Sequence, residues 1–399
     1  MAASVNAHSL FAGRDPAAFL KAITPSDAQR RQLLEARKTI RAHLKAGFHM
    51  LSQDVTTQQQ LGLIDRQTMK PLRLSPKFAS QGSFVYGTLN NPAHQPPQEM
   101  DLDDGMYLPL EVIDKVPPKV ASNLLFKVVG DILAHLCSLN PGWEMERKST
   151  CCRVSLPFGA HIDVPLYAYP DEYEEYLEKA AVAFAESFFA QDSVMRQKPL
   201  ESDKVWLAHR DNGWQQSDPK KIKDWFEEKV DLHGEQLRRV CRYLKVWRDQ
   251  HFPTGGVPSI ALMAHTVAIF DTTWMDPDRD DLALLRVAEQ LPGLLTEKVA
   301  NPTIDVPEGD PSKYLDGGLE PKDRRDVVQK AWDLKQFLSE ALEDHCQRQR
   351  ALKNLRHAFG PRMPDRPDLL HVDAAEAVVT SVEPRVLAPA IIPNHSHSA

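Results

Sequence analysis

The chain has 399 residues, of which 42% are hydrophobic, 26% charged and 8% aromatic, the composition of an ordinary folded protein rather than a disordered one. Its 48 basic and 55 acidic residues leave a net charge of −7, which argues against a protein whose main task is coating nucleic acid but leaves room for a local basic groove. Five cysteines, an odd number without a CxxC, exclude a disulfide scaffold or a zinc ribbon and read as reduced thiols.

No apolar run is expected to approach the ~18–20 residues that cross a bilayer. The N-terminus carries Asp15 and lacks a basic leader segment, so the expected location is the cytoplasm. Residues 1–25 are Ala-rich and weakly patterned. A long helix is predicted over about 27–50, capped by Ser26 or Asp27, with Leu33, Ile40, Leu44 and Phe48 at helical spacing. It is expected to span both halves of the molecule. From residue 80 the texture changes. QGSFVYGTLN predicts strand, turn and helix start, and EMDLDDGMYLPL an alternating strand. Residues 118–139 predict a helix with a stripe of Leu124, Leu125, Val128, Val129, Ile132 and Leu136. CRVSLPFGAHIDVPLYAY predicts two strands about a Pro/Gly turn, 171–197 an acidic helix, and KVWLAHRDNGWQQSDP a hairpin turning at Asn212-Gly213. Helical patterns then run through 220–230, 233–250, 258–271, 279–298 and 321–358. The Pro-rich end from about 384 is expected to be a mobile tail.

The chemistry concentrates in the first half. Residues two apart on a strand share a face, so Asp101 and Asp103 aim two carboxylates at one place. Such a pair repels unless a cation lies between them. Asp163, between Ile162 and Val164, is an acid in an apolar strand and needs a partner or a metal. Three carboxylates on neighbouring strands suit a hard dication, with substrate phosphates completing its shell. Asp104 faces the other way and is expected to be structural. An EF-hand is excluded, because the loop position needing a bidentate Glu is Val112. Upstream, Gly82-Ser83 offers a close backbone approach and a hydroxyl to an anion. On 233–250, Leu237, Cys241, Leu244 and Trp247 form a buried stripe, leaving Arg238, Arg242 and Lys245 as a basic face that is either solvated or functional. Arg153 either reaches a phosphate or pairs with an acidic neighbour.

Taken in order, QGS, MDLDDG and HIDVPLY resemble the polymerase-β-type nucleotidyltransferases, and more narrowly the bacterial cGAS/DncV-like nucleotidyltransferases (CD-NTases) of antiphage signalling, closest to the DncV-type cyclic dinucleotide synthases. The likeness continues through RYLKVWRDQ, GGVPSIALMAH and NPTID, so it covers residues 80–305 with the order kept. It implies an α+β fold: a polymerase-β-like catalytic core with a twisted mixed sheet at 61–219, a spine segment at 1–60, a helical lobe of the OAS/PAP-like kind at 220–383 and a tail at 384–399. It also implies roles. Asp101, Asp103 and Asp163 hold two Mg²⁺ ions, with Mn²⁺ a possible substitute. Gly82 and Ser83 hold the donor triphosphate, joined by Lys245 and Ser259. Gln81 and Tyr86 lie by the donor nucleotide, Tyr86 either stacking on a base or packing in the core. Asp305 reads a base edge.

The expected activity is cyclic dinucleotide synthesis, with cyclic GMP-AMP made from ATP and GTP as the first expectation. The product would act on a separate effector during phage infection. The resemblance further implies a monomer, no DNA trigger, no membrane, and a ubiquitin-transfer-like enzyme that conjugates the C-terminus ending at Ala399. Two other readings stay open: transfer of a nucleotide to RNA or a small molecule, for which Arg324, Arg325, Arg348 and Arg350 supply positive charge, and a nucleotide-sensing module without turnover.

Overall fold

In the computed structural model the sheet that carries the acidic motif runs in the order Lys77–Gln81, Met100–Pro109, Ala160–Tyr169, Cys151–Leu156, Glu144–Arg147, with Trp206–His209 continuing from Ala160–Tyr169 and Gly213–Gln216 from Trp206–His209. The residues described are all except 1–4, 61–63, 65, 68, 72, 111–117, 171–176, 178–204, 218, 304–313, 343–346 and 373–399. The strands are β1 (Val5–Asn6), β2 (Lys77–Gln81), β3 (Met100–Pro109), β4 (Glu144–Arg147), β5 (Cys151–Leu156), β6 (Ala160–Tyr169), β7 (Trp206–His209), β8 (Gly213–Gln216) and β9 (His371–Val372). In the large sheet β3 and β6 are parallel and every other pairing is antiparallel, so the sheet is mixed.

Alternation along β3 and β6 separates two faces. Leu102, Met106, Leu108, Ile162, Val164 and Leu166 are fully buried on one of them. They pack in one core with helices α3 (Asp27–Leu51) and α6 (Pro118–Leu139). Helix α3 starts in a capping box: Ser26 accepts from the Gln29 N–H, and the Gln29 side chain accepts from the Ser26 N–H. Its apolar stripe of Leu33, Ile40, Leu44 and Phe48 lies in the sheet's core. The contact to the other half comes from Thr24, just before the cap, which accepts from Arg242.

Helix α6 buries Phe126, Val129, Leu133 and Leu136, whereas Leu124, Leu125, Val128 and Ile132 are only half-buried, so the true stripe is rotated from the expected one. The predicted stripe missed Phe126 and Leu133, and two overlapping apolar rows on one helix are not separable by spacing alone. At 21 residues, Lys119–Leu139 is long and apolar enough to cross a membrane, yet its apolar row is spent on the sheet.

The second half is helical. After α1 (His8–Ala12), α2 (Phe19–Ala22), α4 (Val55–Gln60) and α5 (Gly82–Val85) come α7 (Pro219–His233), α8 (Glu235–His251), α9 (Ser259–Thr272), α10 (Asp280–Leu294), α11 (Pro321–Leu342) and α12 (Arg348–Phe359). The single stretch expected at 321–358 is thus two helices. Helix α8 is the hub, burying Leu237, Cys241, Leu244 and Trp247 as its spacing predicts. Its core also takes Val5, Leu10, Phe11, Phe19 and Ile23 from the weakly patterned N-terminus. The acidic helix expected at 171–197 and the tail from 384 lie outside the described residues.

Candidate active site

The face of β3 and β6 away from α3 and α6 carries the polar residues, and the register explains why. In the parallel ladder Asp101 pairs with His161 and Asp103 with Asp163. Residues 101, 103, 161 and 163 therefore form a square on one face. On the next strand Arg153 lies opposite Asp163. Its guanidinium donates to both carboxylate oxygens, 2.7 Å each, so of the two readings of Arg153 the structure shows the acidic pair.

On the fourth corner, His161 is buried, with 6% of its surface exposed. Its Nδ1 is 2.8 Å from Glu99 Oε2 and its Nε2 is 3.0 Å from Asp101 Oδ1. The second approach is an ion pair at contact distance whose angles are not those of an aligned hydrogen bond. Ligand atoms of Asp101, His161 and Asp163 all lie within 4.8 Å of one another. This set is able to hold a metal ion. Sequence reasoning saw the acids and missed the histidine, although its place two residues before Asp163, on the same strand face, was available as a signal.

Asp103 is turned toward the glycine loop. Gly82 has φ +68°, and a Cβ there would collide with the Asp103 carboxylate, so only glycine admits this approach. Asp104, one residue on, points into the opposite face. It is fully buried, ion-paired with Arg41 of α3, and accepts from Ser80 Oγ at 2.8 Å. The expected structural role is what the geometry shows.

Charge differs sharply within the square. Burial pushes the Asp103 carboxyl well above its ordinary value, and the adjoining Asp101 and Asp163 push the same way. For Asp101 burial also raises, but the His161 imidazole, then Arg153 and Lys245, outweigh it and hold the group below its ordinary value. Burial lowers the Lys245 amine on α8, with Asp249 opposing and Arg248 reinforcing the shift. Lys245 also feels Asp101 and Asp103 across the gap between helix and sheet.

The basic face of α8 is a junction between the halves. Arg238 pairs with Glu227 and donates to the Tyr86 carbonyl. Arg242 donates to Asn90 Oδ1 at 2.9 Å and Thr24 Oγ1 at 2.7 Å. Ser259 opens α9 and accepts from Arg248 at 3.1 Å, which adds Arg248 to the residues near the expected triphosphate position. Tyr86 is buried against Phe226, ring centres 6.2 Å apart, so the packing alternative is the one the structure displays. Gln81 donates to the Tyr167 hydroxyl at 2.9 Å. Asp305 lies outside the described residues.

Residues 76–167 match the family model of the cyclic GMP-AMP synthase DncV-like nucleotidyltransferase domain, and residues 234–372 that of the cyclic GMP-AMP synthase C-terminal domain. The cyclic GMP-AMP synthase of Vibrio cholerae is 37% identical over 73% of this chain and 69% of its own length. The chain belongs to the DncV-like nucleotidyltransferases. It is a polymerase-β-type nucleotidyltransferase with the mixed α+β fold of that family. A cyclic GMP-AMP synthase from Escherichia coli strain TW11681 is 34% identical over 77% of the chain and 72% of its own length. Among solved structures, Vibrio cholerae DncV in complex with the linear intermediate 5′ pppA(3′,5′)pG superposes with a TM-score of 0.75 at 30% identity, covering 93% of this chain and 99% of that one. A variant of DncV in complex with ATP, GTP and 5MTHFGLU2 gives a TM-score of 0.76.

Proposed function

We propose that this nucleotidyltransferase makes a cyclic dinucleotide, cyclic GMP-AMP from ATP and GTP, by two successive transfers that each release pyrophosphate. The observation that carries the reading is the β3–β6 register, which sets Asp101, Asp103, His161 and Asp163 in one square beside the Gly82 loop. The Vibrio relative, solved with a linear pppApG, supports two-step chemistry in this fold.

Gly82 and Ser83 take the donor triphosphate from the sheet side, and Lys245, Ser259 and Arg248 from the helical side. Gln81 and Tyr86 border the donor nucleotide, and Asp305 reads a base edge. Asp101, Asp103 and Asp163 hold Mg²⁺, two ions in the full site. Bound there, the metal neutralises the triphosphate and makes the acceptor hydroxyl more acidic. The crowded carboxylates fit that demand, because burial and the adjoining Asp101 and Asp163 disfavour the charge of Asp103 until a cation offsets it. Asp163, anchored by Arg153, is placed to receive the acceptor proton. Lys245 and Arg248 add fixed positive charge where pyrophosphate develops its own negative charge.

Incubation with Mg²⁺ and the four nucleoside triphosphates, each labelled in turn at the α-phosphorus, tests this. The expected product resists phosphatase, contains adenine and guanine, and is lost in an Asp101→Ala/Asp103→Ala variant. Label found only in phosphatase-sensitive linear chains or on RNA ends would replace the cyclase reading with the transferase one. Bound nucleotide with no turnover would leave the sensing module. We place the activity in the bacterial cytoplasm, in a monomer, with the product switching on a separate antiphage effector and the C-terminus offered to a conjugating enzyme. Plaque counts on cells carrying the wild-type or doubly substituted chain test the defence role.

A further inference from the structure

We propose that Arg238 is a positioning residue for the donor triphosphate: it joins the Gly82–Ser83 loop to helix α8, so that the loop and Lys245 meet the phosphates in fixed register. This deepens the reading of Gly82 and Ser83 as the donor loop and rests on it.

The loop begins on the sheet, where Gln81 ends β2, and finishes against the helical half. Helix α5 is a single turn, closed by bonds from the Tyr86 N–H to the Gly82 carbonyl and from the Thr88 N–H to the Ser83 carbonyl. A helix this short does not hold its shape unaided. Tyr86 is its C-cap, where a carbonyl needs a donor from outside the helix. The Arg238 guanidinium is that donor.

The guanidinium is itself held on several sides. Glu227 of α7 accepts from its two Nη atoms at 3.2 and 3.1 Å, and Glu235 accepts from Nε at 3.0 Å. It lies 5.6 Å from the centre of the Phe226 ring, which meets the Tyr86 ring edge-on. The Arg238 side chain is 14% exposed. Gly87 follows with φ +68°, and a Cβ there would stand 3.0 Å from Arg238 Cδ, so the loop backbone packs directly on the arginine stem.

The next residues keep to the same helix. Asn90 donates to the Arg242 carbonyl and accepts from the Arg242 side chain, both at 2.9 Å. Arg362 donates to the Asn91 carbonyl at 2.7 Å and to the Val246 carbonyl of α8 at 2.9 Å. Residues 86–91 therefore ride on α8. Lys245 stands two turns beyond Arg238, about 10 Å along the axis and on the same side of the helix. An ordinary ion pair is the competing account of Arg238. It explains the two glutamates, but not the donation to Tyr86 or the close approach of Gly87.

The test is calorimetric titration of the full chain with a non-hydrolysable ATP analogue and, separately, with AMP. Arg238→Met keeps an unbranched stem and removes the fork. Glu227→Gln/Arg238→Met also removes the carboxylate that the single variant strands, so a folding defect in the first does not decide the result. In both, affinity for the triphosphate analogue is expected to fall about tenfold and affinity for AMP to stay within about twofold, because only the outer phosphates need the loop in register with Lys245. Hydrogen exchange on the nucleotide-free chain adds an arm that needs no ligand. The Tyr86 and Thr88 amides are expected to exchange at least about tenfold faster while those of α8 keep their protection.

Equal losses for the analogue and AMP, or no loss for either, overturn the proposal, as does unchanged exchange at Tyr86 and Thr88. Lost protection along α8 in the double variant also overturns it, by making Arg238 a prop of the helical core. Ser83→Ala separates this inference from the reading beneath it. If Ser83→Ala weakens the analogue and the Arg238 variants do not, the inference alone fails. If Ser83→Ala leaves the analogue unchanged, the donor-loop reading fails and takes the inference with it.

Discussion

At the scale of single residues, the site depends on one missing methyl group. Gly82 sits at φ +68° with the Asp103 carboxylate packed against its α-carbon. An L-residue there meets two penalties: a left-handed backbone that costs about 1–2 kcal/mol, and a Cβ inside the carboxylate. The backbone cost falls on stability and the collision falls on function, because Asp103 must swing away from the loop. Gly82→Ala is therefore expected to lower nucleotidyl transfer by at least about 100-fold, the scale of losing one charge-stabilising contact. The melting midpoint should fall by only a few degrees. Steady-state turnover alongside thermal unfolding checks the split, and an alanine variant of wild-type activity would remove Gly82 from the donor site. The glycine was legible as a phosphate-loop signal. Its clash partner was not, because no spacing rule gives the separation between a β2–α5 turn and a β3 side chain.

At the scale of the element, β3 turns neighbouring aspartates into opposites. Asp103 shares its face with two more carboxylates, and burial and repulsion disfavour its charge. Asp104 is buried on the other face in an ion pair with Arg41 and accepts from Ser80. In the nucleotide-free, metal-free chain, Asp103→Asn removes a repelled charge and is expected to raise stability by on the order of 1 kcal/mol while abolishing turnover. Asp104→Ala strands Arg41 and is expected to lower stability by about 3–5 kcal/mol. Urea denaturation of the two variants reads both signs, and a shared sign would show that the two faces are not electrically distinct. This alternation was readable from the sequence, since period-two spacing assigns 101 and 103 to one side and 104 to the other. The His161 corner was legible only in part: its place two residues before Asp163 puts it on that acid's face, but its pairing with Asp101 needs the parallel register of β3 on β6, and strands some 60 residues apart leave no local trace of their register. The same limit explains α6, where two adjacent apolar rows fit a helix equally well until the sheet selects Phe126 and Leu133.

At the scale of the molecule, the N-terminal strand belongs with β9 (His371–Val372), more than 360 residues on. The Ala-rich composition around it gives no periodicity strong enough to place it, yet Val5 and Asn6 pair in antiparallel fashion with Val372 and His371. The Ala7 N–H donates to Asp281 at 2.7 Å, and the Asp280 N–H donates to His8 Nδ1 at 3.1 Å. Phe11 meets Tyr243 of the hub helix edge-on at 5.1 Å and Phe359 at 5.8 Å. Leu10 and Phe11 are fully buried, and each such side chain contributes about 1.5–3 kcal/mol by area alone. Residues 5–12 thus complete the core that holds α8, and α8 carries Lys245 and Arg248 to the site. Removing residues 1–12 is expected to destabilise the helical half by more than about 5 kcal/mol and to weaken nucleotide binding, with the sheet less affected. Phe11→Ala, a gentler version, should cost about 3–5 kcal/mol including its cavity. Hydrogen exchange distinguishes the halves: amides of α8 and α10 should lose protection while those of β3 and β6 keep it. If nucleotides bridge the halves as proposed, saturating ATP analogue should restore part of that protection, since a ligand that binds only the closed arrangement adds its binding free energy to it. Equal loss of protection in α8 and β3 would mean that the two cores unfold as one unit, and that the N-terminus stabilises the sheet as much as the helices it touches.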